Sequence, residues 1–338
     1  MLRLRIILKP GLHQGLLNRR TVLKGIGGGV LAVSVPVTPV LAADGRVSVV
    51  ATTGMIADTA RQVGGDLVAV KALMGPGVDP HAYRQTRTDI VAMAKADLVL
   101  WNGLFLEAQM EDVLGDLARR TQVEAVAEHV PADNRIAHDS YTDRFDPHVW
   151  MDPALWKIVV LAVSDALVAV APQHKSQFSE NADRMLADLD NLIAYSSNVL
   201  ATVPEGARVL VTAHDAFNYF GRAFGFEVIG IQGISTESEA GLNRMTELVD
   251  VLVDRKISAV FVESSVSDRS VRALIEGAAA QDWNVRVGGE LFSDAMGAPG
   301  TYEGTYIGMI DHNVTVIAAG LGGPVPDRGM NGKLSGGS

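Results

Sequence analysis

The 338-residue sequence contains no cysteine, which excludes disulfide bonds, thiolate zinc sites, iron–sulfur clusters and a cysteine nucleophile. It also leaves no cysteine in this sequence to which a lipid anchor could be attached. Aromatic residues are few, at 6%, but 48% of the residues are hydrophobic and 20% are charged, which is typical of a globular protein rather than a disordered one. A chain of this length is expected to form two packed lobes.

Basic charge is scarce after the first 42 residues. Those residues hold six of the 29 lysines and arginines and no acidic residue, so the rest of the chain carries 23 basic residues against all 39 acidic ones. A nucleic-acid-binding protein needs a basic face to contact phosphates. We therefore expect no nucleic-acid partner.

The N-terminal 42 residues have the pattern of an export signal. Arg19 and Arg20 precede a glycine-rich apolar run that ends in the small-residue sequence before Ala43. This resembles a twin-arginine signal peptide cleaved near Ala42, and it predicts the twin-arginine translocon as an export partner and a periplasmic location. The alternative is a membrane anchor, but the run of about 16 residues is shorter than the ~20 a spanning helix needs, and two prolines interrupt it.

Strand-like segments alternate with helix-like segments through the rest of the chain. The predicted strands are 47–53, 68–74, 98–102, 123–126, 208–212, 228–232, 259–263 and 285–289. Strands alternating with helices indicate an α/β fold with parallel sheets. The first four strands form one set and the last four form another, and these two sets predict two Rossmann-like lobes.

A long helix is predicted between the two sets of strands. Residues 173–202 contain no glycine or proline, and their buried-type residues recur at steps of three and four: Phe178, Ala182, Met185, Leu189, Leu192, Ser196 and Val199. The alternative is two helices broken near Ser196. The predicted organisation is a signal peptide (1–42), an N-terminal lobe (43–171), a connecting helix (172–204), a C-terminal lobe (205–321) and a flexible tail (322–338).

Four side chains are candidates for a metal site. His81 and His148 each end an Asp-Pro-His tripeptide, in which proline restricts the backbone and aims the following side chain. His214 and Asp294 each follow a predicted strand of the second lobe. Ligands of open α/β sheets gather at the carboxyl ends of strands, and three imidazoles with one carboxylate suit a borderline divalent ion.

Each of these residues also has an ordinary structural explanation. A single histidine after a strand is more often a hydrogen-bonded structural residue, and Asp294 alone could cap a helix. Spacing alone therefore leaves the metal site and the structural explanation about equally favoured. The remaining histidines of the mature chain lack this placement and are expected to be solvated or capping residues: His129, His138, His174 and His312.

Five motifs together resemble the zinc/manganese solute-binding proteins of ABC transporters. They lie at residues 77–83, 96–104, 146–151, 213–220 and 293–296, and the resemblance extends over about residues 47–321. It implies two α/β lobes joined by one long backbone helix, with one Zn²⁺ or Mn²⁺ held in the cleft as the transported ligand. The implied metal ligands are His81, His148, His214 and Asp294. The implied partner is an ABC permease in the inner membrane, and the carrier is expected to be a monomer.

The choice of metal stays open at this point. Zinc-dedicated relatives often carry a histidine-rich loop before the second ligand, and this chain has only His129 and His138 there. Manganese-dedicated relatives often have glutamate at the position of His214. Three nitrogens and one carboxylate favour Zn²⁺ over Mn²⁺ at equal free concentration.

Two other functions compete with metal transport. A secreted metal-dependent hydrolase would need an open coordination position and a general base, for which Glu290 is near enough in sequence to Asp294. However, the sequence contains neither His-Glu-x-x-His nor Gly-x-Ser-x-Gly. A metal-binding adhesin is the other alternative. We predict a transport component and not an enzyme.

Overall fold

Four parallel strands form the first sheet. The computed structural model describes residues 45–138, 142 and 144–335, so the predicted signal peptide lies outside the described residues. β1 (Val47–Ala51) pairs with β2 (Val68–Ala72) and β3 (Leu98–Trp101), and β3 also pairs with β4 (Gln122–Ala125). The order is β2-β1-β3-β4. The two middle strands are buried along most of their length because helices cover both faces of a parallel sheet.

Four helices accompany this sheet: α1 (Gly54–Gly64), α2 (Arg87–Lys95), α3 (Glu111–Leu117) and α4 (Pro153–Val170). Asp152 caps α4 by accepting a hydrogen bond from the amide of Ala154 at 2.9 Å. By length and composition α4 could cross a membrane, but more than half of it is buried inside the molecule. It is therefore a core helix.

The predicted connecting helix is continuous. α5 (Lys175–Leu200) runs for 26 residues without a break, so the alternative of two helices broken near Ser196 is wrong. The seven residues predicted to form its buried face are all buried. At about 1.5 Å per residue the helix is roughly 40 Å long, long enough to contact both lobes.

The second lobe repeats the strand pattern of the first. β5 (Val209–Thr212) pairs with β6 (Glu227–Gly230), β7 (Ala259–Glu263) pairs with β8 (Arg286–Leu291), and β5 lies beside β7. Its helices are α6 (Asn218–Phe224), α7 (Leu242–Asp254), α8 (Arg269–Ala279) and α9 (Tyr306–Gly320). All eight predicted strands are present, which confirms the two-lobed α/β fold.

One hydrophobic core extends through both lobes and along α5. Trp156 of α4 stacks on Tyr306 of α9 with ring centroids 5.0 Å apart. The hydroxyl of Tyr306 donates to the carbonyl of Trp150 at 2.7 Å, and the Trp150 indole donates to the carbonyl of Ser293 at 2.8 Å. These buried contacts fix the two lobes to each other.

The segment after α9 differs from the prediction of a flexible tail. The amide of Met330 donates to both carboxylate oxygens of buried Asp311, at 3.0 and 2.9 Å, and the side chain of Leu334 is buried. The amide of Ser335 donates to Glu303 at 2.5 Å. Residues 322–335 therefore dock on the second lobe, through backbone amides that leave no periodic pattern in the sequence.

Candidate metal centre

His81 lies in the loop after β2. The Oδ1 atom of Asp79 accepts a hydrogen bond from the backbone amide of His81 at 2.8 Å, which closes the Asp-Pro-His turn. The turn directs the ring into the cleft, where only 4% of the residue is exposed.

His148 ends a second Asp-Pro-His turn, which lies in the loop after β4. Asp146 Oδ1 accepts from the backbone amide of His148 at 2.9 Å and lies 2.7 Å from its ring Nδ1. The carboxylate therefore fixes the backbone and accepts the Nδ1–H of the ring, which directs Nε2 toward the cluster. Asn218 of α6 holds the other oxygen of Asp146 at 3.1 Å, so both lobes orient this histidine.

His214 follows β5 and is oriented by Glu263 at the end of β7. Glu263 Oε1 accepts from the backbone amide of His214 at 2.8 Å, and Oε2 lies 2.5 Å from its ring Nδ1. Both residues are buried. Glu263 has no recognisable signal in the sequence, because nothing in a β-strand pattern indicates that its last residue faces the end of the neighbouring strand.

Asp294 follows β8 in a segment held from two sides. The side-chain amide of buried Asn313 bonds to both the amide and the carbonyl of Phe292, at 2.9 and 2.7 Å, and Trp150 bonds to the next carbonyl. Among the described residues, the buried Asp294 carboxylate contacts the imidazole rings of the cluster and no other hydrogen-bond donor. A buried carboxylate with so few donors is costly unless a cation lies beside it.

The structure brings His81, His148, His214 and Asp294 together, with one ligand atom from each within 4.8 Å of all the others. The Nε2 of His148 lies 3.3 Å from that of His81 and 3.4 Å from that of His214. Asp294 oxygens lie 3.3, 3.2 and 3.9 Å from Nε2 of His148, His214 and His81 respectively. Four ligands bound about 2.0–2.1 Å from one ion at tetrahedral angles lie about 3.3 Å apart. Four of these five separations are close to that value, so the cluster fits a single divalent ion held by four ligands.

The charges of the cluster also fit a cation. Burial lowers the pKa of His81 to about 3, so this ring is neutral. Burial alone would lower the pKa of His148, but Asp146 and Asp294 outweigh it and raise the pKa to about 9. Burial is outweighed in the same way by Glu263 and Asp294 at His214, whose pKa lies well above its usual value. Protons thus occupy lone pairs that an ion would use, and an incoming metal must displace them.

The other histidines lie outside this cluster, as predicted. His129 pairs with Glu124 at 2.7 Å near the surface, and His312 contacts the carbonyl of Glu290 at 2.9 Å. His174 packs edge-on against Phe178 at the start of α5, and the amide of His138 bonds to the carbonyl of Arg144. The side chain of Glu290, the base considered for a hydrolase, is exposed on β8 while the cluster is buried.

The fold and this cluster define a two-lobed metal-binding solute-binding protein. Residues 49–320 match the family described as zinc-uptake complex component A, periplasmic, and the chain belongs to this family. Members of the family are transport components, which confirms the prediction that the chain is not an enzyme and favours transport over the hydrolase and adhesin alternatives.

Similar proteins differ in the metal for which they are named. The chain is 47% identical to the manganese-binding lipoprotein MntA of Bacillus subtilis over 279 residues, covering 82% of this chain and 91% of that protein. It is 46% identical to the zinc-binding protein TroA of Treponema pallidum over 280 residues, covering 83% and 90%. The solved structure of the periplasmic zinc-binding protein TroA superposes with a TM-score of 0.80 at 45% identity, covering 82% of this chain and 99% of that one.

Proposed function

We propose that this protein captures one divalent transition-metal ion with His81, His148, His214 and Asp294 and delivers it to an ABC permease in the inner membrane. The observation that carries the proposal is the near-tetrahedral spacing of three Nε2 atoms and a buried carboxylate. Four protein ligands close the coordination shell, which suits a cargo ion better than a catalytic ion that must bind water.

We infer that the site binds Zn²⁺ more tightly than Mn²⁺ at equal free concentration. The donor set contains three imidazole nitrogens, and nitrogen-rich sites follow the Irving–Williams order. Relatives of nearly equal identity are named for manganese and for zinc, so overall similarity does not choose between them. Biological use of manganese would then require that zinc be scarce where the protein is loaded.

Calorimetric competition of Zn²⁺ against Mn²⁺ tests the assignment of the four ligands and the tighter binding of Zn²⁺. The His214→Ala variant should lose more than about a hundredfold in affinity, because removing a ligand costs more than removing its hydrogen-bond partner. The His129→Ala variant is the matched control, since His129 lies near the surface outside the cluster. Unchanged binding by His214→Ala would contradict the ligand assignment.

We further propose that the carrier acts as a monomer in the periplasm, exported by the twin-arginine translocon and cleaved near Ala42. The MntA relative is named a lipoprotein, whereas this sequence offers no cysteine for a lipid. Replacing Arg19 and Arg20 together by lysine should leave the precursor in the cytoplasm, as measured by cell fractionation. Normal export of that variant would contradict the twin-arginine route.

The proposed boundaries of the organisation are 43–171 for the N-terminal lobe, 172–204 for the connecting helix and 205–321 for the C-terminal lobe. They place α5 between the two sheets. Limited proteolysis with mass spectrometry of the fragments tests them, and cleavage is expected at these connections before it occurs within a lobe.

A further inference from the structure

The loop between β6 and α7, residues 231–241, crosses from the second lobe toward the first. Its base is fixed, because the amide of Ile231 donates to the carbonyl of Thr212 at the end of β5 and the amide of Gln232 donates to that of Ala213, at 3.0 Å each. Its tip is more exposed: Ser235 and Thr236 are half-buried, and residues 237–239 are exposed. This β6–α7 loop is thus anchored at one end and reaches over the cleft at the other.

Thr236 connects the tip of this loop to the turn that carries His81. The Thr236 hydroxyl donates to Asp79 Oδ2 at 2.5 Å, and Asp79 Oδ1 accepts from the amide of His81 at 2.8 Å. A single carboxylate therefore holds the backbone of a proposed ligand with one oxygen and the loop of the opposite lobe with the other. The bond is partly shielded from solvent, which strengthens it relative to an exposed one.

The same loop forms one wall of a narrow cavity that ends at His81. The other wall comes from the first lobe, through Leu104, Phe105 and Ala108. The loop contributes Ile234, Ser235 and Glu237. His81 is 4% exposed, while His148 and His214 are 0% exposed and Asp294 is 2% exposed. This cavity therefore offers an approach from solvent that passes His81 and the tip of the β6–α7 loop.

A second hydrogen bond also joins the β6–α7 loop to the first lobe. Gln109 Nε2 donates to Glu237 Oε1 at 2.7 Å, between exposed side chains. Water competes with an exposed hydrogen bond, so this contact contributes less than the bond of Thr236.

We propose that Thr236 is a positioning residue that latches the β6–α7 loop over the metal entrance and thereby controls how fast the ion is released. The proposal rests on the proposed function. When the hydrogen bond between the Thr236 hydroxyl and Asp79 breaks, the tip of the loop moves away from the cavity. The turn that carries His81 then loses one of its restraints. Release then begins at His81, the most exposed ligand of the four.

The test compares Thr236→Val, which removes the hydroxyl at nearly constant shape, with Thr236→Ser, which keeps it. Each protein is loaded with Zn²⁺ and mixed with excess chelator in a stopped-flow instrument. We expect Thr236→Val to release the ion about tenfold faster than the unaltered protein, the effect of losing one partly buried hydrogen bond to a charged group. Thr236→Ser should release it at the unaltered rate, because the hydroxyl is restored.

Thr246→Val is the matched control, because its hydroxyl bonds within α7 to the carbonyl of Leu242 and does not reach the first lobe. Hydrogen exchange of the metal-free proteins supplies an independent readout, with faster exchange expected in residues 234–240 of Thr236→Val. Equal release rates for Thr236→Val and the unaltered protein would overturn the latch, as would equal acceleration by Val and Ser. Failure of the unaltered protein to bind Zn²⁺ would instead overturn the proposed function.

Discussion

Two carboxylates, Asp146 and Glu263, orient the rings of His148 and His214 without belonging to the four-residue cluster. Each also accepts the backbone amide of its histidine, so it fixes the position of the ring as well as its tautomer. His81 differs, since its Asp-Pro-His aspartate holds the backbone and bonds to Thr236. The turn that carries His81 is thus tied to the opposite lobe through Asp79 and Thr236.

Replacing Glu263 by glutamine should weaken Zn²⁺ binding by about ten- to a hundredfold, because the His214 ring loses the charge that orients its Nδ1–H. Competition calorimetry measures the change, and a melting curve of the metal-free variant shows whether the fold is retained. Glu290→Gln is the control, since that carboxylate is exposed on β8. Equal affinities for the two variants would contradict the orienting role.

The pH dependence of stability should have opposite signs with and without metal. In the metal-free protein the pKa of His148 is raised to about 9, whereas a histidine in the unfolded chain has a pKa of about 6.5. Protonated His148 therefore stabilises the folded protein. This contribution is complete below about pH 6.5 and is lost as the pH rises toward about 9. With Zn²⁺ bound, higher pH removes the competing protons and increases the stabilisation by the ligand.

Melting temperatures at pH 6.5 and 8.5 test this expectation. The metal-free protein should melt at a lower temperature at pH 8.5, and the difference between loaded and metal-free protein should be larger there. The pKa of His214 is raised as well, so the control lacks both rings, and the same trend in a His148→Gln/His214→Gln variant would show that other groups cause it.

At the scale of elements, α5 joins the two lobes along its length. It is continuous over 26 residues and packs against α1, α4 and α9, which belong to both halves of the chain. A helix with contacts along its whole length does not act as a hinge, and hinge motion is usually absorbed by a few residues at loops or element ends.

We therefore expect metal binding to change the radius of gyration by less than small-angle scattering resolves. The measurement compares the chelator-treated protein with the Zn²⁺-loaded protein at several concentrations. A clear compaction on loading would show that the lobes close as rigid bodies. Local loop movement without compaction would agree with the rigid helix.

The elements were predictable from the sequence because their signals are local. β-branched runs marked all eight strands, and the three- and four-residue spacing from Phe178 to Val199 marked the buried face of α5. The positions of the four site residues after strands left a shared metal site only about evenly favoured, and the resemblance of the five motifs then implied it. Glu263 and Thr236 were missed because their roles depend on which strand ends and loops become neighbours in space.

At the scale of the whole molecule, residues 322–335 follow the last helix, α9, and pack against the second lobe. Asp311 is fully buried and accepts hydrogen bonds from the amide of Met330 and the hydroxyl of Tyr302. The Asn331 side chain in turn donates to Tyr302 at 3.0 Å. A buried carboxylate depends on such donors, because leaving it unpaired costs free energy.

Removing residues 324–338 should lower the free energy of unfolding by about 1–3 kcal/mol, since Asp311 loses a backbone donor. Denaturant unfolding measures the loss, and Zn²⁺ affinity should stay nearly unchanged because the four proposed ligands are retained. Truncation of residues 336–338 alone is the control. An equally stable truncated protein would mean that this docked segment contributes nothing.

The shared core, with Trp156 stacked on Tyr306, has a consequence for the encounter with the permease. A carrier whose lobes are fastened together presents nearly the same outline whether it is empty or full. Empty copies would then occupy the transporter as readily as loaded ones and slow uptake when cargo is rare. The permease must then distinguish the loaded carrier from the empty one by a few side chains at the mouth of the cleft, whose positions change when one ion binds.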